Sequence, residues 1–134
     1  MATLRLEVVT PARTVIATEA ESVTVPGVEG RLGFLPGHAP IVAGLTIGVL
    51  EYGPAHGSKQ RMAVSGGFVE VADNKVSVLA DAAELASEID VARAMAAKER
   101  AERRLRERAA NIDRARAEAA LARALNRLRV ANGR

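Results

Sequence analysis

The chain has 134 residues, 49% of them hydrophobic, a formal charge of +3 and no cysteine. The length suits one domain or a small domain with an appendage, and the apolar content argues against disorder. The absence of thiols excludes disulfides, thiolate catalysis and cysteine-ligated zinc. From the N-terminus, Leu4, Leu6 and Val8 alternate with Arg5, Glu7 and Val9, which predicts a half-buried strand ended by Thr10-Pro11. Val23 and Val25 predict a second strand, stopped at Pro26-Gly27, and Gly44, Gly48, Gly53-Pro54 and Gly57 punctuate further short runs. Phe68–Ala72 and Lys75–Leu79 flank Asp73-Asn74, two residues that tolerate positive φ, so a tight hairpin is predicted there. Many short strands at close spacing point to a sandwich or flattened barrel.

The character changes at Ser87. Beyond it there is no proline and no glycine until Gly133, and Ala, Arg, Glu and Leu dominate. Ser87 is positioned to cap a helix with Asp90 at its third position, and the acids Glu84, Glu88 and Asp90 suit a helix start without any metal. Ala94, Ala97, Ala101 and Leu105 make one apolar stripe. Leu121, Leu125 and Leu128 make another, with Ala115, Ala119 and Ala122 beside it. Asn111-Ile112-Asp113 interrupts the two, so the reading is an antiparallel pair of helices joined near Ala110. Small residues let such axes approach, but an alanine seam gains little from burial, which marks the pair as a switchable element.

Charge follows the same boundary. Residues 1–87 hold six Lys/Arg and nine Asp/Glu, whereas residues 88–134 hold thirteen and seven. The basic part suits an acidic protein surface, a nucleotide or a nucleic acid. Phe34, Tyr52 and Phe68 all lie in the other part, so the basic part has no stacking platform for a single strand, and no nucleic-acid partner is expected. No run approaches the roughly 20 apolar residues of a membrane span. Met1–Arg5 does not read as the start of a signal peptide, so a membrane is expected to be reached only through a partner.

If the turn centres near residue 110, Arg93 faces Arg127, Arg123 lies one turn from Arg127, and Asp90 lies one turn before Arg93. Three guanidiniums that close call for an anion, and their forks match phosphate oxygens. The alternative is a solvated helix face. Elsewhere, Gly30–Gly33 and Ser65-Gly66-Gly67 lack the order of a phosphate loop. His38 and His56 are too dispersed for a metal site, His38 reads as a loop-stabilising residue, and no nucleophile or acid–base pair is visible.

Three segments resemble one family. Gly30-Arg31-Leu32-Gly33-Phe34-Leu35-Pro36-Gly37-His38-Ala39-Pro40 resembles its first signature, with Arg31 where an acid is common and Phe34 where Ile is usual. Ser65-Gly66-Gly67-Phe68-Val69-Glu70-Val71 resembles its second, and Ile89-Asp90-Val91-Ala92-Arg93-Ala94 its third. The family is that of the epsilon subunits of bacterial rotary, proton-translocating ATP synthases, and the resemblance spans essentially the whole chain. It implies a ten-stranded N-terminal β-sandwich over residues 1–86 and a two-helix hairpin over 87–134. It implies a non-catalytic central-stalk subunit at the cytoplasmic face of the bacterial cell membrane, peripheral to it. The sandwich would bind the gamma subunit and the ring of c subunits. The hairpin, when extended, would enter the alpha–beta hexamer, meet beta through residues such as Arg103, Arg104, Arg106, Arg108 and Arg116, and block hydrolysis. In some members the folded hairpin binds ATP as a regulatory ligand. The matching positions here are Ile89, Asp90, Arg93 and Ala94, with Arg123 and Arg127 of the second helix. The other reading of the same residues is a free-standing ATP or anion sensor.

Overall fold

In the computed structural model residues 2–107 and 113–133 are described. Alternation makes β1 (Leu4–Val9) a one-sided strand: Leu4, Leu6 and Val8 are buried while Arg5 faces solvent. It is followed by β2 (Thr14–Ala20), β3 (Ser22–Gly27), β4 (Gly30–Phe34), β5 (Ile41–Gly53), β6 (Gln60–Ala72), β7 (Lys75–Ala80) and β8 (Ala83–Leu85). The strands run in the order β2-β1-β7-β6-β5-β3-β4, with β8 also paired to β6. Only the β1–β7 pairing is parallel among the described strands. All eight contribute to one apolar core that includes Leu6, Val25, Phe34, Leu50, Met62, Val69 and Val78. The β6–β7 turn is the predicted hairpin, with Asp73 and Asn74 at φ 51° and 60°.

The described residues form eight strands, not the ten that the resemblance implies, because β5 and β6 each run for 13 residues without a break. Gly44 and Gly48, predicted to punctuate, lie inside β5, where β6 supplies a partner along nearly its whole length. The paired ribbon turns over midway. The core-facing residues of β6 are Met62 and Val64 on one side of Gly66-Gly67 and Val69 and Val71 on the other, so the inward parity switches. Gly66 and Gly67, at φ 74° and 110°, allow this, and a Cβ on Gly67 would lie 2.1 Å from the Leu79 carbonyl oxygen.

Two helices follow, α1 (Val91–Arg106) and α2 (Arg114–Ala131). The first does not start at Ser87, which sits in a 3-10 turn over Ala86–Glu88. Asp90 is the cap instead: its carboxylate accepts from the Arg93 backbone N–H at 3.1 Å. Asp113 caps α2 in the same way, accepting from the Arg116 N–H at 3.0 Å. The turn predicted near Ala110, with Arg108, Asn111 and Ile112, lies outside the described residues.

Ala94 and Ala101 of the first predicted stripe are buried. The second stripe is not the one predicted. Leu125 is exposed, and the buried positions of α2 are Ala117, Ala124, Asn126 and Val130. The reason is that α2 has two neighbours. Ala117 and Ala124, seven residues apart, repeat the Ala94–Ala101 spacing of the helix α2 packs against, whereas Asn126 and Val130 meet the sheet. Contact between the helical pair and β5 and β6 is made chiefly by α2.

Candidate functional site

The spacing of arginines along each helix sets the site. Arg93, Ala97, Arg100 and Arg104 recur at i, i+4, i+7 and i+11 on α1, and Arg116, Ala120, Arg123 and Arg127 do the same on α2. Where the helices pack, these stripes, apart from Arg93 and Arg127, border a groove of about 330 Å³. Arg100, Arg104, Arg116 and Arg123 line it above a floor of Ala97, Ala101, Ala117 and Ala120, with Asp113 at one end. None of these four guanidiniums is paired with a carboxylate among the described residues. Solvent and salt screen their repulsion, since they stand at the surface. An anion with several oxygens in the groove would replace repulsion by charge-assisted hydrogen bonds.

The six residues singled out from the sequence fall into separate roles. Ile89 is buried at the root of the hairpin with Val49, Ala63 and Val130. Asp90 spends one carboxylate oxygen on the cap. Arg93 is exposed on the first turn of α1 and borders neither the groove nor the smaller hollow described next. Ala94 is fully buried. Arg123 borders the groove and also a hollow of about 60 Å³ between α2 and the sheet, where it meets Arg127, Glu84 and Asn126. Arg127 is already engaged: its Nε lies 2.7 Å from Glu84 Oε1, off-line for a hydrogen bond, and its Nη2 donates to Oε2 at 3.3 Å. Glu84 therefore belongs to strand β8 and to this pair, not to a helix start.

The sequence reading placed Arg104 and Arg116 only against another subunit and did not single out Arg100. The signal that finds all three is the repeat of arginine at helical spacing bordering small residues. His38 has the loop role expected of it, stacking edge-on to Phe34 at 5.0 Å with Nδ1 2.6 Å from the Ala39 carbonyl oxygen.

A second charge pair holds the hairpin root. Arg13 Nη2 donates to Glu88 Oε1 at 2.9 Å, and the same oxygen accepts from the Leu85 N–H at 3.1 Å. The Arg13 guanidinium and the Leu85 N–H hold the Glu88 carboxyl below its ordinary pKa, and the carboxylate raises that of Arg13. On the sheet, Phe68 pairs with Gly44 and Leu79 in one cross-strand row, and Val42 lies two residues from Gly44 along β5. Phe68, Leu79 and Val42 are 60%, 58% and 68% exposed, an apolar patch that no described residue covers. No described helix is long and apolar enough to cross a membrane.

Comparison with known proteins assigns both parts. Residues 3–86 match the family model described as ATP synthase, Delta/Epsilon chain, beta-sandwich domain, and residues 87–132 match that of the long alpha-helix domain. The ATP synthase epsilon chain of Symbiobacterium thermophilum is 60% identical over 109 residues, covering 81% of this chain and 78% of that protein. That of Syntrophomonas wolfei is 56% identical over 107 residues, covering 80% and 78%. Among solved structures, a chain of the Euglena gracilis mitochondrial ATP synthase (OSCP/F1/c-ring) superposes with a TM-score of 0.76 at 27% identity. That match covers 91% of this chain and 77% of the other. A chain of the Tetrahymena thermophila central stalk and c-ring shares the fold alone, with a TM-score of 0.52 at 14% identity.

Proposed function

This chain belongs to the ATP synthase delta/epsilon family, whose epsilon chain is a non-catalytic subunit of the central stalk, and from that premise we propose that its helical hairpin is an ATP-sensitive arm. The observation that carries the proposal is the groove of four arginines, without a carboxylate partner among the described residues, over an alanine floor. Guanidinium forks from both helices reach one cleft, so a triphosphate lying in it would tie α1 to α2. Asp90 and Arg93, at the root of α1, would extend the site toward the sugar or base, and Ile89 and Ala94 would hold that root in place.

Magnitudes make such an arm sensitive to its ligand. The four buried seam alanines contribute roughly 0.8 kcal/mol per methyl, about 3 kcal/mol together. Ordering backbone costs about 1–2 kcal/mol per residue, so closure is marginal. A ligand at one hundred times its dissociation constant adds about 2.7 kcal/mol to the state that binds it, comparable with the whole seam. Without ligand the helices would swing out. At 16 and 18 residues they span about 51 Å end to end at 1.5 Å per residue. Extended, the arm would carry Arg103, Arg104, Arg106 and Arg116 to acidic parts of beta and block hydrolysis.

The apolar patch of Val42, Phe68 and Leu79 supports docking of the sandwich on rotor partners, gamma and the c-ring, at the cytoplasmic face of the membrane. The test is an ATP titration of the purified chain followed by amide NMR and solution scattering. The expected result is selective shifts at Asp90, Arg93, Arg100, Arg116 and Arg123 with compaction. An unchanged spectrum at millimolar ATP would overturn the arm. Failure to co-purify with gamma would favour a free-standing sensor.

A further inference from the structure

The β3–β5 ladder contains a break. Thr24 pairs with Glu51 and Gly27 with Leu45, so Thr46–Leu50 of β5 and Val25-Pro26 of β3 face each other without ladder pairing. Pro26 stands in that break. It has no N–H to offer a neighbouring strand, and its ring lies against Gly48 so closely that a Cβ there would sit 2.5 Å from the Pro26 Cβ. Two carbonyls of this stretch are taken by side chains. Arg31, reaching over from β4, donates Nη1 to the Val49 oxygen at 3.0 Å and Nη2 to Glu51 at 3.1 Å. Asn126, 78 residues away on α2, donates Nδ2 to the Gly48 oxygen at 2.7 Å. Facing a carbonyl, only the amide nitrogen can be the donor, so the carboxamide orientation is set by chemistry.

We propose that the Gly48 carbonyl, in the stretch of β5 left unpaired by β3, is the socket that fixes where the closed hairpin sits on the sheet, and that Asn126 is the residue that reads it. The inference rests on the arm reading above only in calling the docked form one of two states. Asn126 is 6% exposed, and it is the one described buried side chain of the hairpin whose polar atom bonds to the sheet backbone. Its Oδ1 faces the hollow beside Glu84 and Arg127 without a partner. Around it the contact is the part-exposed Arg127–Glu84 pair, whose long side chains can follow a shift, and an aliphatic set, Val49, Ala63, Ile89 and Val130, that would tolerate a slide of α2 by a residue. A slide would strand the Asn126 donor and uncover Gly48, and buried polar groups left unmade are what such a surface penalises. Arg31 keeps the neighbouring carbonyl occupied whether or not the hairpin is docked, so the opening and closing of one hydrogen bond distinguishes the states of the sheet. The same geometry accounts for Arg31, the residue at an often acidic place: it is a strut across the Pro26 break.

The chain has no cysteine, so a spin-label pair on Glu70→Cys and Glu118→Cys reports the position of α2 over β6 without background. In the first measurement no nucleotide is added, and the docked fraction of the parent pair should give one narrow short-distance peak. Asn126→Leu keeps the volume and apolar contact but removes the donor, and should broaden or split that distance about twofold, as expected where a buried polar contact supplies register. Asn126→Asp keeps the shape and turns an acceptor toward the Gly48 oxygen, and should lengthen the distance at pH 8. If both variants return the parent distance at parent width, the socket is refuted. In a second measurement ATP is added to the parent pair and should raise the share of that peak; no change in share would overturn the arm and leave the first result standing.

Discussion

Arg123 is the most informative residue to remove, because it borders both the interhelical groove and the hollow between α2 and the sheet. Arg123→Ala deletes one guanidinium of the four that line the groove and leaves the alanine floor untouched. A hydrogen bond to a charged group contributes about 1.5–3 kcal/mol, and Arg123 is exposed, which places it near the lower end. At about 2 kcal/mol the dissociation constant rises roughly 30-fold. The consequence for the arm follows by linkage. At an ATP concentration one hundred times the parent constant, the parent gains about 2.7 kcal/mol of closure and the variant about 0.9 kcal/mol. The assay is isothermal titration with ATP, with Arg103→Ala as the control: it removes the same charge from the exposed side of α1, away from the groove. Arg123→Lys should lie between, since an ammonium keeps the charge and loses the fork. If Arg123→Ala and Arg103→Ala weaken ATP equally, binding is a general attraction to a basic tail and the groove is not the site.

Three further outcomes test the frame that carries the groove. Gly67→Ala should destabilise the chain by about 2–4 kcal/mol in urea unfolding, because φ of 110° and a Cβ 2.1 Å from the Leu79 oxygen leave no room at the turn-over of β6. Asn74→Ala should cost about 1–2 kcal/mol in the same assay, since Asn74 holds φ of 60°, accepts from the Gly37 N–H and donates to the Thr3 oxygen, each at 2.9 Å. The Arg13–Glu88 pair should be lost in acid. The folded Glu88 carboxyl lies below its ordinary value of 4.5, so its contribution is fully present above that value and disappears as pH falls through the lowered one. The difference in melting temperature between the parent and Glu88→Gln should therefore shrink on acidification from pH 7, and a difference that grows would contradict the pairing.

Where local sequence and final neighbours agree, the reading of the chain and the structure coincide. Leu4, Leu6 and Val8 have one face to bury whatever the partner, and Asp73-Asn74 prefers positive φ before any strand pairs. Ala94 and Ala101 announce a close helix contact. Where a residue's role depends on which element arrives beside it, the reading departs. Leu125 looks like core by spacing and is exposed, while Ala124 and Asn126 on either side are buried, because α2 divides its buried positions between α1 and the sheet. Glu84 looks like part of a helix start and is half of an ion pair with a residue 43 positions away.

Sequence alone therefore determined the two-part build, the strand pattern, the alanine-seamed helices and the surplus of arginine on the second part, because these follow from side-chain chemistry at periods of two and 3.6 residues. Tertiary structure decided which arginines share a groove, that Arg127 is held by Glu84, and that Asn126 reaches the Gly48 carbonyl. Those facts depend on the rotation of α2 about its axis and on the route of β5 past β3, and long-range packing sets both.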